Sequence, residues 1–265
     1  MVSVDVYVEG PTEWYVAQKL YEKGILSEGK FLPDRDHPMI IGDVASSLDK
    51  LIDPKNEGKT GILINPANKI LLMYDQEKLA TPSDVISKIE ERLNEFDIDF
   101  NIQQHNEFPN VFIGKVSTEE RDNSFAIHVA DKLFCRNDNN RDFDGYILEL
   151  LKNENGLSIV KKILTDNKII KISKLRRNIE NEPDLTEKVK KLGEIDIPSL
   201  IESNSQNKWQ ILRSKTFLYS YITALQIGKS HVWFCEKVID KADEGNLKHV
   251  FSSLIAAWNE LCRGG

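Results

Sequence analysis

The segment Val6-Tyr7-Val8-Glu9-Gly10-Pro11-Thr12-Glu13 narrows the folds open to this chain more than any other stretch. Upstream of it, Val2, Val4, Val6 and Val8 alternate with Ser3, Asp5, Tyr7 and Glu9, the period of a strand with one strongly apolar face. Gly10-Pro11 then breaks the pattern. Proline suits the first position of a helix, and Trp14, Ala17, Leu20 and Tyr21 follow at helical spacing until Gly24. A strand that turns at once into a helix is the opening of an α/β unit. An acid stands on each side of the turn, Glu9 at the strand's exit and Glu13 in the helix's first turn.

The same alternation continues. Residues 25–42 read as loop with a short strand at 39–41, and 43–52 as a helix on Val44, Leu48 and Leu51. Lys69–Tyr74, KILLMY, is an unbroken apolar run, the mark of a strand covered on both faces. It ends in Asp75-Gln76-Glu77. Thr81 caps a helix carrying Val85, Ile89, Leu93 and Phe96, and strands are predicted at 99–103 and 110–116. Strand–helix alternation over 1–116 implies a parallel sheet with helical crossovers, a Rossmann-like arrangement with helices on both faces. Beyond Ser124 the periodicity predicts helices at 125–135, 143–152, 156–165, 183–192, 207–226 and 247–262. The predicted domains are an α/β part, residues 1–122, and a helical part, residues 123–265, which packs on the first or stands apart.

Composition sets limits on function. No apolar run nears the ~18 residues of a transmembrane helix, and no basic-then-apolar leader opens the chain, so a cytoplasmic protein away from the membrane is expected. Three cysteines, Cys135, Cys235 and Cys262, lie too far apart for a disulfide framework or a zinc knuckle, and the five histidines lack metal spacing. A net charge of −7 gives no global pull on nucleic acid. One local exception is Lys168–Arg177, KIIKISKLRR, with five positive and no negative charges, which reads as a backbone-binding patch or as the wet face of an amphipathic helix. Gly58-Lys59-Thr60 and Gly228-Lys229-Ser230 mimic the end of a phosphate-binding loop. Asp53 and Thr223 stand where that loop needs its first glycine, and both are discarded.

The acids carry the chemistry. Ligands of open α/β sheets collect beyond the carboxyl ends of the strands. Glu9 ends one strand there, and Asp75 and Glu77 end another. Were these strands neighbours, three carboxylates would converge and repel unless a cation held them. Mg²⁺ takes oxygen ligands at roughly 2.1 Å and keeps places for phosphate and water. Such a site, without a nucleotide loop, points to phosphoryl transfer or phosphodiester cleavage. Against this, Glu9, Asp75 and Glu77 can be solvated strand ends and Glu13 a first-turn acid favoured by the helix dipole. Glu119, Glu120, Asp122 and Asp131 could supply a second metal or be solvated charges. Lys215, with Arg213 near it, could meet a phosphate or be an ordinary helix lysine.

An apolar strand ending Glu-Gly-x-x-Asp/Glu, with a second ending Asp-x-Asp/Glu, resembles the Toprim domain. Here the motifs are Val6–Glu13 and Leu71-Leu72-Met73-Tyr74-Asp75-Gln76-Glu77, and the resemblance covers roughly residues 1–120. The later helices, including Lys215–Leu225, are loosely similar to stand-alone Toprim and overcoming-lysogenization-defect-type nucleases of prokaryotic defence loci. The resemblance implies a Mg²⁺-dependent nuclease, with Mn²⁺ as an alternative ion. By position Glu9 would handle protons or touch the metal, Asp75 and Glu77 would hold it, Glu13 would take the family's less strict acidic place, and Asp131 and Lys215 would assist. The family usually has aspartate where Glu77 stands, which shifts the metal, favours a looser ion, or marks a lost site. Neither the gate domain of a topoisomerase nor the zinc-binding part of a primase is expected from these residues. The substrate would be DNA or RNA, tRNA included. A defence-locus nuclease implies a restraining partner, most simply an ATPase, and leaves a homo-oligomer open. Two other readings stand beside it: a Toprim-fold module kept for binding and assembly, and a nucleotide phosphotransferase or phosphatase.

Overall fold

The computed structural model describes residues 1–33, 37–119, 121–132, 141–166, 169, 181, 184–203 and 214–263. Their backbone contacts separate into two compact units, residues 1–131 with 251–265, and residues 132–250.

The first unit is a mostly parallel sheet flanked by helices. Strands β1 (Val2–Val8), β2 (Gly29–Leu32), β3 (Met39–Ile40), β4 (Lys69–Asp75), β5 (Asp99–Gln104), β6 (Val111–Ser117) and β7 (Asp122–Ala130) take the order β2-β1-β4-β7-β6-β5, with β3 also on β1. The strands β2, β3, β1, β4 and β7 run parallel, while β5, β6 and β7 form an antiparallel meander. The two central strands read as the sheet requires. Val4, Val6 and Val8 are fully buried, and β4 is apolar on both faces because both are covered.

Over one face lie α2 (Val44–Leu51) and α3 (Pro82–Glu95), packing Val44, Leu51, Val85, Ile89 and Leu93 against Ile70, Leu72, Tyr74 and Ile127. Asp43 caps α2, its carboxylate accepting the Ser46 N–H at 2.7 Å, and Thr81 with Asp84 forms a capping box on α3. Over the other face lie α1 (Pro11–Glu22) and the chain's last helix, Ser252–Cys262. The aromatic rings of Trp14, Phe31 and Trp258 meet there, Lys69 Nζ donates to Leu261 O at 2.7 Å, and His128 Nε2 lies 3.0 Å from Ser253 Oγ.

The second unit is helical: α4 (Asp144–Leu151), α5 (Asn153–Thr165), α6 (Leu185–Lys191) running through a π-turn into α7 (Ile197–Ser203), α8 (Ser214–Ala224), α9 (His231–Lys241) and α10 (Glu244–Val250). The helix Ser252–Cys262 is α11.

Several expectations change. Of the helix expected at 125–135, residues 125–130 are strand, and 133–135 lie outside the described residues. Asp122–Ala130 is the interior strand β7, buried between β4 and β6, where β-branched and aromatic residues fit a pleat covered on both faces. The sheet is parallel only in part, because a short loop, not a helix, joins β5 to β6. The stretch 247–262 breaks at buried, non-helical Phe251, giving α10 to one unit and α11 to the other. By backbone contacts the α/β unit holds β7 and α11. Sequence periodicity also passes over β2, α7 and α9. Among the described residues no helix is long and apolar enough to cross a membrane.

Candidate functional site

The register of the sheet brings the ends of β1, β4 and β7 side by side. Glu9 leaves β1 with its N–H donating to Met73 O at 3.1 Å. Its side chain turns across to β4, where Glu9 Oε2 accepts the Asp75 N–H at 3.0 Å. Asp75 pairs with Ala130 in the sheet, and the Gln76 N–H donates to Ala130 O at 3.0 Å. The first acid of each motif thus stands at one strand edge, joined through backbone.

Glu77 follows in a tight turn. Leu79 N–H donates to Gln76 O at 3.1 Å, and Gln76 Nε2 returns to Leu79 O at 2.7 Å. Glu77 itself takes a left-handed backbone, φ 50°, unusual for a residue with a Cβ, and its side chain is exposed.

These residues open onto a cleft of about 160 Å³. Glu9, Asp75 and Glu77 line it from the strand ends, Asp43 from the cap of α2, Lys78 from the turn and Lys88 from α3. Four carboxylates thus face two ammonium groups. The Asp43 carboxyl is held below its ordinary range, chiefly by its bonds from Ser46, then by the charge of Lys88. Gln76 also lines the cleft, and its Oε1 is buried and accepts no hydrogen bond from the described residues. Carboxylates beside an orphaned amide oxygen make an all-oxygen donor set, which fits a hard cation such as Mg²⁺.

The remaining expected residues fall elsewhere. Glu13 is buried in the first turn of α1, its carboxylate lying against Gly10, and does not line the cleft. Asp131 stands just past β7 at the same edge of the sheet, where its Oδ1 accepts from Asn110 Nδ2 at 3.3 Å, and it too is outside the lining. Lys215 is exposed at the start of α8 in the second unit. Glu119 is an exposed residue of the β6–β7 turn. The basic stretch Lys168–Arg177, apart from Ile169, lies outside the described residues, as do Arg213, Glu120, Cys135 and Trp209.

Glu9, Asp75 and Glu77 share one cleft. Glu77 reaches it from a left-handed turn, and Glu9 is bonded to the Asp75 backbone. Among the described residues, one group of three possible metal-ligating side chains has its ligand atoms all within 4.8 Å of one another: Asp144, His231 and Cys235 in the second unit. Sequence reading missed this group, and it missed Asp43, Gln76, Lys78 and Lys88. The group of three had a half-signal in the four-residue spacing of His231 and Cys235.

No protein-family model, curated protein or solved structure matches the chain.

Proposed function

We propose that the strand-end cleft is the centre of a Toprim-type nuclease, a cation-dependent hydrolase of nucleic-acid phosphodiesters. The observation that carries this reading is the bond from the Asp75 N–H to Glu9 Oε2. It ties the acid of the first motif to the acid of the second across neighbouring parallel strands, at the edge where α/β sheets take their ligands. Asp75 and Glu77, with Gln76 Oε1, are the oxygen donors for Mg²⁺ or Mn²⁺. The ion, when bound, supplies charge neutralisation and an acidified water.

The chain's own groups do the rest. Glu9 lies beside the donors and takes the proton of the attacking water. Lys88 and Lys78 give the cleft its positive wall, which receives the phosphate oxygens. The N-terminal turn of α2, with Val44 and Ala45 on the cleft, adds the positive end of a helix dipole to the same wall. Such a protein works in the cytoplasm on DNA or RNA, tRNA included, and a free nuclease there needs restraint, for which an ATPase partner is the proposed source.

One observation favours a second reading, a module that keeps the fold for binding and assembly. Glu77 is exposed in a left-handed turn. A single experiment sorts the readings. Plasmid, single-stranded DNA and a tRNA pool are incubated with the protein in Mg²⁺, Mn²⁺ or EDTA, beside Glu9→Ala. Metal-dependent scission lost in Glu9→Ala is the expected result. Inorganic phosphate released from nucleotides without scission would make it a phosphatase. Intact substrates and no Mg²⁺ binding would leave the assembly module.

A further inference from the structure

We propose that Asp144, His231 and Cys235 form a binding site for a divalent transition metal of zinc's class, separate in chemistry from the strand-end cleft. His231 and Cys235 lie four residues apart in the first turns of α9, so they share one face of the helix. Ser230 fixes that end of the helix by accepting the Trp233 N–H at 3.2 Å. Asp144 is the first residue of α4, which packs on α9. All three are buried, with 5%, 6% and 0% exposure respectively.

Two distances define the geometry. His231 Nε2 lies 3.1 Å from Asp144 Oδ1 and 3.8 Å from Cys235 Sγ, and the three atoms all fall within 4.8 Å of one another. A tetrahedral zinc with bonds of about 2.0–2.3 Å sets its ligand atoms roughly 3.3–3.7 Å apart. The observed separations bracket that range.

The competing explanations fit less well. A catalytic relay uses both ring nitrogens of a histidine, one toward the nucleophile and one toward the acid. Here a single nitrogen, Nε2, faces both the thiol and the carboxylate. A plain buried ion pair needs the ring N–H aimed at the carboxylate. Asp144 Oδ1 is buried and accepts no hydrogen bond from the described residues, although Nε2 is only 3.1 Å away. A buried carboxylate oxygen left without a hydrogen bond is costly. One cation at the common point of the three atoms satisfies all of them at once. Tyr219 stacks on the His231 ring, with centroids 5.3 Å apart, and holds its direction.

The donor set decides the class of ion. A thiolate and an imidazole select zinc, cobalt or iron(II) over the magnesium that carboxylates and amides prefer. On binding, the Cys235 thiol gives its proton to solvent and the sulfur bonds as thiolate. The metal then pins the first turn of α4 to the first turns of α9.

The test reads sulfur–metal bonding directly and needs no enzyme assay. The full chain is stripped with a chelator, reloaded with Zn²⁺ or Co²⁺, desalted and counted for metal by mass spectrometry, and the cobalt form is scanned for thiolate-to-cobalt charge transfer. The expected result is about one ion per chain at this site and a clear charge-transfer band. Cys235→Ser should remove the band, and Cys262→Ser should leave it. A band that survives Cys235→Ser, or an unsubstituted protein that folds yet shows no band on loading with cobalt, would overturn the proposal.

Discussion

The cleft at the strand ends and the cluster at the start of α9 gather ionisable groups in opposite ways. In the cleft, Glu9, Asp43, Asp75 and Glu77 are spread around an open space beside two lysines. In the cluster, three different donors are buried and face one point. Like charges cannot be packed together without a cation to hold them, so an acidic site that binds its ion with substrate stays open and solvated. Unlike donors carry less mutual repulsion, so an Asp-His-Cys group can be set in advance inside a core. The comparison teaches that closeness of donors is a poor measure of catalytic intent: on the proposed readings the looser site does the chemistry and the tighter one holds structure.

The largest expected effect breaks or keeps the functional half of that comparison. Asp75→Asn should lower scission by at least about 100-fold while the backbone bond to Glu9 survives, since Asp75 offers its N–H there and its side chain to the ion. Thermal unfolding checks that the variant is folded. A second effect separates the two sites by stability. Zinc at 100 times its dissociation constant should stabilise the protein by about 2.7 kcal/mol, and His231→Ala should abolish this response, whereas Mg²⁺ should raise the melting temperature equally in both.

A smaller effect concerns the wall of the cleft. Asp43→Ala should cost about 1 kcal/mol through loss of the α2 cap, measured by denaturant unfolding. Because the folded Asp43 carboxyl titrates below its ordinary value, its contribution is present above the usual aspartate range. It is lost as pH falls through the folded value, so parent and variant should converge in acid. The smallest effect is at Glu77. Glu77→Gly should relieve the left-handed turn and raise stability by about 0.5–1 kcal/mol while weakening Mg²⁺ dependence.

Much of this could be read from the chain alone, and the failures have physical causes. β1, α1, β4 and α3 announce themselves by alternation, by an unbroken apolar run and by Pro11 and Thr81 at helix starts. β7 misleads because an interior strand covered on both faces lacks the two-residue period, and Phe125, Ile127 and Val129 with their apolar neighbours also pass for a buried helix. Glu9 and Asp75 are legible because strand ends are local features. Lys88 and Asp43 are not, since they reach the cleft only when α2 and α3 pack over the sheet. The same holds for Asp144, which meets His231 and Cys235 only through helix packing. A mixed His-x-x-x-Cys pair without its third donor is too weak a signal in sequence. Glu77 shows the limit most clearly: its place in the motif is legible, but its left-handed turn is a backbone fact.

The most direct test of the account is the rate of plasmid, single-stranded DNA and tRNA cleavage as Mg²⁺ is raised from zero, for the parent and for Glu9→Gln. The account predicts a saturable rise in the parent on at least one substrate, and a loss of at least about 100-fold in Glu9→Gln at every Mg²⁺ concentration. Cleavage that persists in EDTA, or a Glu9→Gln protein that cuts at the parent's rate, would contradict it.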